Sequence, residues 1–393
     1  MGFKHLYLLT ALLRSTAVLA QENTIPAECA EVEAPDTFEP VSQLPNPFEF
    51  FDGSAVETKD EWACRRAEIR AMIEKYELGA KPPKPADFKA TLSGNSINIE
   101  LSDNGKSIAF SASIKLPSGS GPFPAMIALG GASIPIPNDI AVITYNNEQI
   151  AATDPGGKGL FYQLYPTEIG GLMAWGWGVS RILDALEELG PETTKIDPTK
   201  VGVTGCSRNG KGALVSGAFD DRIALTLPQE GGSGGPGCWR LAADMKSRGI
   251  NVEDGPQIVT GDQWFSPVFS NYVKDIATLP HDHHQLMALV APRGLLVIEN
   301  SGIDYLGPWS SYGCSTAAQT AFEALGVKNN FGISQVAHGT SHCQLPSSQN
   351  PIVEAWIDKF LRGKDGETNV FQTDATWDFE ASEWIGWTTP ELS

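Results

Sequence analysis

Residues 201–217 read VGVTGCSRNGKGALVSG, a β-rich run that ends near Gly205 and passes through Ser207 into a stretch of helical character. A serine at such a strand-to-helix turn sits in a strained backbone, and small residues around it let the turn close. Gly205 lies two positions before the serine. Two positions after it stands Asn209, followed by Gly210, so the run is G-x-S-x-x-G, one step from G-x-S-x-G. Asparagine is compact and tolerates positive φ better than most residues, so the turn is expected to survive the exchange. Taken alone, the run also fits an ordinary strand–helix loop, and its surroundings have to decide.

Outward from it, short apolar runs alternate with helical stretches. PAMIALGG (124–131) reads as a buried strand ending in glycines, and LMAWGWGVSRILDALEELG (172–190) as a helix stopped by Gly190. IALTLPQE (223–230) and RGLLVIEN (293–300) read as strands, with HHQLMALVAP (283–292) helical between them. AAQTAFEALG (317–326) is a helix, NFGISQVAHG (330–339) a strand and loop, and WIDKFLRG (356–363) a terminal helix. Strands alternating with helices imply a parallel sheet covered on both faces. The fold class is therefore α/β, a three-layer αβα sandwich of the α/β-hydrolase type, in a single domain.

Serine becomes a nucleophile only when a base takes its proton. The chain has six histidines. His338 and His342 follow the last strand, where a fold of this type delivers its base. His281, His283 and His284 form HDHH at a helix start; neighbouring side chains there cannot converge on zinc without distant ligands, and H-E-x-x-H is absent. No metal is expected, and HDHH reads as a helix start with partly buried histidines. Cys206 precedes Ser207 and Cys343 follows His342. If those sulfurs join, their Cα atoms lie only about 4.4–6.8 Å apart, and Ser207 and His342 come within reach of each other. The orienting acid stays open among Glu230, Glu299 and Asp304, each at or just after a strand end.

The composition limits the partners. The first twenty residues, MGFKHLYLLTALLRSTAVLA, read as a secretory signal, too short to span a bilayer. Without it, 26 basic residues face 47 acidic ones, a net charge of −21. Such a chain repels nucleic acid and anionic membranes. Six cysteines in an exported chain favour three disulfides, and an N-x-[ST] acceptor is absent. Residues 21–393 read as the catalytic domain, with 21–85 wrapping its body and WACRRAEIRAMIEKY (62–76) helical within that segment.

At this point GCSRNGKGA (205–213), PQEGGSGG (228–235), LPHDHHQLMALVAPRGLLVIEN (279–300), IDYLGP (303–308) and SHCQ (341–344) together resemble the fungal glucuronoyl esterases, the 4-O-methyl-glucuronoyl methylesterases of carbohydrate esterase family 15. The resemblance implies Ser207 as nucleophile, His342 as base, Glu230 as its orienting acid and Arg208 as oxyanion stabiliser. It implies Lys211, Glu253, Asp262 and Tyr305 as sugar contacts. Here the chain departs from the family, which has glutamine at the place of Glu253, a glutamate at the place of Gly261 beside Asp262, and tryptophan at the place of Tyr305. Trp264, in QWFSP, reads as packing. The implied disulfides are Cys29–Cys64, Cys206–Cys343 and Cys238–Cys314.

The resemblance further implies a secreted, monomeric serine esterase without cofactor. It would cleave the ester between (4-O-methyl-)glucuronic acid of glucuronoxylan and lignin alcohols through an acyl-enzyme. The alternatives are a serine esterase for another plant-wall ester, such as acetylxylan, and a catalytically silent carbohydrate-binding homologue.

Overall fold

The structure is a computed structural model that describes Cys29 and residues 32–154, 156–166, 168–261 and 263–393. Residues 1–20, read above as a signal, and Asp262 lie outside the described residues. Among those residues one ten-stranded sheet forms: β1 (Asp87–Ser93), β2 (Ser96–Asp103), β3 (Lys106–Lys115), β4 (Phe123–Leu129), β5 (Ala141–Tyr145), β6 (Ile196–Cys206), β7 (Ile223–Gln229), β8 (Gly294–Glu299), β9 (Phe331–Gln335) and β10 (Phe371–Thr373). Their order across the sheet is β1-β2-β3-β5-β4-β6-β7-β8-β9-β10.

From β5 through β4 to β10 every neighbouring pair is parallel. The sheet as a whole is mixed, because β1, β2 and β3 pair antiparallel with one another and β3 antiparallel with β5. In KSIAFSASIK only Ile108, Phe110, Ala112 and Ile114 are buried, the two-residue period of a strand with one wet face. The central parallel strands β4, β7, β8 and β9 are buried on both faces over most of their length. Along β8, Leu295 and Val297 join one apolar cluster while Leu296 and Ile298 join the other. Alternate side chains of one strand thus feed both helical layers.

The helices Gly171–Leu189, Arg208–Phe219, His283–Ala288 and Pro308–Ala324 contribute to the larger cluster. Val353, Trp356 and Ile357 of the helix Asn350–Phe360 seal the opposite face. Leu44, Phe48 and Val56 of the N-terminal segment, and Trp62, Ile69 and Met72 of the helix Lys59–Ile73, are buried in the larger cluster too. Thr58 and Glu61 cap that helix reciprocally. Among the described residues no helix is long and apolar enough to cross a membrane.

The strand order reverses at β4, which has β5 on one side and β6 on the other. In open α/β sheets, ligands bind beyond the carboxyl ends of the strands at such a point. Ser207 is the residue that follows β6.

Candidate active site

Ser207 takes φ 59° and ψ −130°, a conformation that costs on the order of 1–3 kcal/mol and has to be imposed by its surroundings. Its N–H donates to Gln229 O at 2.9 Å, and its carbonyl accepts the Lys211 N–H at 3.1 Å. Both glycines of the turn are demanded by close approach: a Cβ on Gly205 would stand 2.3 Å from Asn209 O, and one on Gly210 2.5 Å from Gln229 O. The expectation for Asn209 needs correcting. It lies inside the helix Arg208–Phe219 and has no positive φ, so its conformational tolerance is not what the turn uses. Its amide is used instead. Oδ1 accepts from Asn147 Nδ2 at 2.8 Å, and Nδ2 occupies the space over Gly130, where a Cβ would come within 2.4 Å.

The Cys206–Cys343 disulfide joins this turn to the loop after β9, with Cα atoms 5.8 Å apart. A ring nitrogen of His342 lies within 4.8 Å of both of its sulfurs. Glu230, at the end of β7, meets His342 from the other side. Its Oε2 accepts from His342 Nδ1 at 2.7 Å and from the Cys343 N–H at 3.0 Å. Glu230 is buried while the His342 side chain is 39% exposed, an acid within the protein holding an imidazole at its surface. Of the five described non-glycine residues with positive φ, Ser207, Glu230 and Cys343 meet here.

The two other candidate acids do not meet His342. Glu299 is fully buried, its Oε1 accepting from the Gly232 N–H at 3.2 Å, and Asp304 is exposed in a short turn. His338, in the sequence only a rival base, faces the second oxygen of Glu230, Nε2 to Oε1 at 3.4 Å. Asn300 Oδ1 accepts the N–H groups of Gly302 and His338, so Asn300 Nδ2 must donate to His338 Nδ1 at 3.2 Å. That fixes the neutral His338 ring with its proton toward Glu230.

Ser207, Glu230 and His342 open on a cavity of about 330 Å³. Lys211, Glu253, Trp264, Ile303, Tyr305, Leu306 and Thr340 complete much of its lining. Lys211 Nζ donates to Gly231 O at 2.8 Å, to Ser233 O, and to Glu253 Oε2 at 2.9 Å. It also lies 5.1 Å from the centre of the Trp264 ring. Trp264 therefore does more than the packing expected of it, since it is a cavity wall. Tyr305 donates its hydroxyl to Glu253 Oε1 at 3.3 Å. Arg208 is half-exposed, its Nε 3.2 Å from Glu148 Oε1. Asn147 and Glu148, adjacent in one short helix, thus grip the two residues that follow the serine. No motif in the sequence announces that grip.

The HDHH segment is buried throughout, not partly. His281 and His283 both direct Nε2 at Glu77, at 2.5 and 2.7 Å, and Trp239 Nε1 donates to the same carboxylate at 3.0 Å. His283 Nδ1 then donates to Gly235 O at 2.6 Å, in the loop that starts at Glu230. Burial opposes charge on both partners. The two imidazoles nevertheless hold Glu77 far below the usual carboxylate range, and Glu77 raises His283.

A family model described as "Glucuronyl esterase, fungi" matches residues 99–326. The 4-O-methyl-glucuronoyl methylesterase of Podospora anserina is 50% identical over 363 residues, covering 90% of this chain and 75% of the relative. The glucuronoyl esterase catalytic domain from Hypocrea jecorina superposes with a TM-score of 0.87 at 48% identity, over 92% of this chain and all of that one. A serine-to-alanine variant of the Sporotrichum thermophile glucuronoyl esterase, in complex with methyl 4-O-methyl-β-D-glucopyranuronate, gives 0.89 at 46% identity, over 93% of this chain and all of that one. On that match and those identities, this chain belongs to the fungal glucuronyl esterase family.

Proposed function

We propose that Ser207, His342, Glu230 and Arg208 carry out glucuronoyl ester hydrolysis in this chain by an acyl-enzyme route. The observation that carries the reading is the 2.7 Å contact between Glu230 Oε2 and His342 Nδ1 at the mouth of a cavity that Ser207 also lines. With Nδ1 donating to Glu230, His342 Nε2 is the nitrogen left to take the serine proton. Ser207 Oγ then attacks the uronic carbonyl. The alkoxide leaves as the alcohol with the proton from His342. Water, deprotonated by the same imidazole, releases glucuronate and restores the serine.

The oxyanion needs donors at its developing charge. The Arg208 N–H opens a helix and has no intrahelical partner. In related turns the second donor comes from the loop after an earlier strand. Here the Gly130 and Gly131 N–H groups are spent on Tyr145 O at 3.0 Å and Ala128 O at 3.4 Å. That favours the Arg208 guanidinium as second donor. Glu148 pairs with its Nε side, leaving both terminal nitrogens to turn toward substrate. The route calls on neither metal nor cofactor.

The relative crystallised with a methyl 4-O-methyl-glucuronate ester supports a uronic acid on the acyl side. The natural ester would join glucuronoxylan to a lignin alcohol, acted on outside the cell by a secreted monomer. The test is turnover of methyl glucuronate beside acetylated xylose, by wild type and by Ser207→Ala. Wild type should prefer the uronate, and the variant should be inactive with an unchanged melting temperature. Activity retained in Ser207→Ala, or preference for the acetyl ester, would refute the assignment.

A further inference from the structure

The last torsion of a glutamate side chain is broad and roughly two-fold, so hydrogen bonds decide which oxygen of Glu230 meets His342. Oε2 takes the pair already described, His342 Nδ1 and the Cys343 N–H. Oε1 faces a second pair. Gln229 Nε2 donates to it at 3.3 Å, and that amide is oriented by Ser133 Oγ, which donates to Gln229 Oε1 at 2.6 Å. His338 Nε2 lies 3.4 Å from the same oxygen. The two pairs match the roughly four lone-pair directions of an ionised carboxylate. His338 is not free to turn away. Its N–H donates to Asn300 Oδ1 at 3.3 Å, and Asn300 Nδ2 donates to His338 Nδ1 and to Gly339 O. Just before the ring, the Val336 N–H donates to Glu299 O and the Ala337 N–H to Asp374 Oδ2. The side chain is 12% exposed, and His338 is not among the described residues that line the cavity.

We propose that His338 is a positioning residue for the reaction: held by Asn300 with its proton on Nε2, it turns the Glu230 carboxylate so that Oε2 meets His342. The proposal rests on the glucuronoyl esterase reading above. His338 and His342 both follow β9 and grip opposite oxygens of one acid. An imidazolium forms on His342 as the serine proton is taken, and its stabilisation depends on a carboxylate aligned with Nδ1. Without the His338 donor the carboxylate is freer to rotate and that alignment loosens. No contact to substrate is removed, so the cost falls on kcat rather than on KM.

The experiment has two arms. NMR of the histidine ring nitrogens in wild type, with His338 identified by its absence from the His338→Gln spectrum, should show a neutral ring protonated on Nε2. A proton on Nδ1, or on both nitrogens near neutral pH, would overturn the proposal. The second arm is turnover of methyl glucuronate. His338→Leu fills the space without a donor and should lower kcat by about tenfold, the lower range of a hydrogen bond to a charged group, with KM changed less than about twofold. His338→Gln keeps an N–H near the place of Nε2 and should recover kcat to within about threefold of wild type. Unchanged kcat in His338→Leu would overturn the proposal, as would equal losses in the two variants, the mark of packing alone. If His338→Leu does not fold, the wild-type ring spectrum and the His338→Gln rates still decide. Failure of wild type to turn over methyl glucuronate would instead count against the esterase reading, so the two failures are distinct.

Discussion

Glu299 permits a stability prediction worked from its surroundings. Its carboxyl ends β8 inside the protein, fully buried, with Oε1 on the Gly232 N–H and Oε2 lacking a partner among the described residues. Loss of water raises its pKa from an ordinary 4.5 to about 8, with the Glu230 carboxylate adding to the rise and the Gly232 N–H opposing it. Between those two values the folded chain keeps a proton that the unfolded chain has released, so stability falls as pH rises. At about 1.36 kcal/mol per pH unit, the loss from pH 4.5 to 7 is about 3 kcal/mol. Glu299→Gln keeps an oxygen for Gly232 and cannot titrate. Urea unfolding at pH 4.5 and pH 7, followed by fluorescence of the chain's ten tryptophans, should show the variant gaining about 3 kcal/mol on wild type between the two conditions. A relative gain below about 1 kcal/mol would mean that Glu299 is ionised in the folded protein, and the burial argument would fail.

Arg208→Ala should lower kcat by about 10²–10³, the usual cost of one oxyanion donor, and a loss under tenfold would remove Arg208 from that role. Replacing Cys206 and Cys343 together opens a 137-residue loop. The chain-entropy account then predicts a stability loss of about 5 kcal/mol, and the fall in activity should lie mainly in kcat; unchanged kcat would show that the turn and the imidazole are held together without the crosslink. For His283 the sign is that of a base with a raised pKa. Its pairing with Glu77 stabilises fully below the ordinary value of 6.5 and is lost as pH rises through the folded value. Melting temperature should therefore drop as pH rises above 6.5, and His283→Gln, less stable overall, should lose that step.

Much of the centre of the fold is legible in the sequence because its signals are local. Each of these parallel strands contains a short apolar run, so β4, β6, β7, β8 and β9 stand where the composition places them. The strands of residues 87–115 alternate apolar with polar residues, Phe88, Ala90 and Leu92 in DFKATLS and Ile97, Ile99 and Leu101 in SINIELSD, but nothing in their order says where they join the sheet. In the site, the adjacency of Cys206 to Ser207 and of His342 to Cys343 makes the approach of serine and imidazole readable from the chain alone. The choice of Glu230 over Glu299 is not readable from spacing, since both end strands on the same edge. What separates them is backbone conformation: φ 45° at Glu230 accompanies a carboxyl that reaches His342, while Glu299 stays in extended chain beneath the glycines. Residue type cannot reveal which donors are already occupied, which is why the three internal acceptors of Lys211 are not legible in the sequence. Glu148 and Asn147 are invisible there for a related reason, since their importance lies only in what they touch.

The hub at Glu77 bears on how far this protein can be shortened. Glu77 follows the helix Lys59–Ile73, outside the strand–turn–helix units that hold the serine, yet through His283 it is one hydrogen-bonded step from Gly235. A fragment begun after Leu78, where the sheet domain would seem to start, would leave two imidazoles and an indole N–H facing an empty socket behind the acid's own loop. Any minimal catalytic piece has to begin upstream of Lys59, and a protease nick between that helix and β1 that lets the segment depart should silence the enzyme without touching a residue of its pocket.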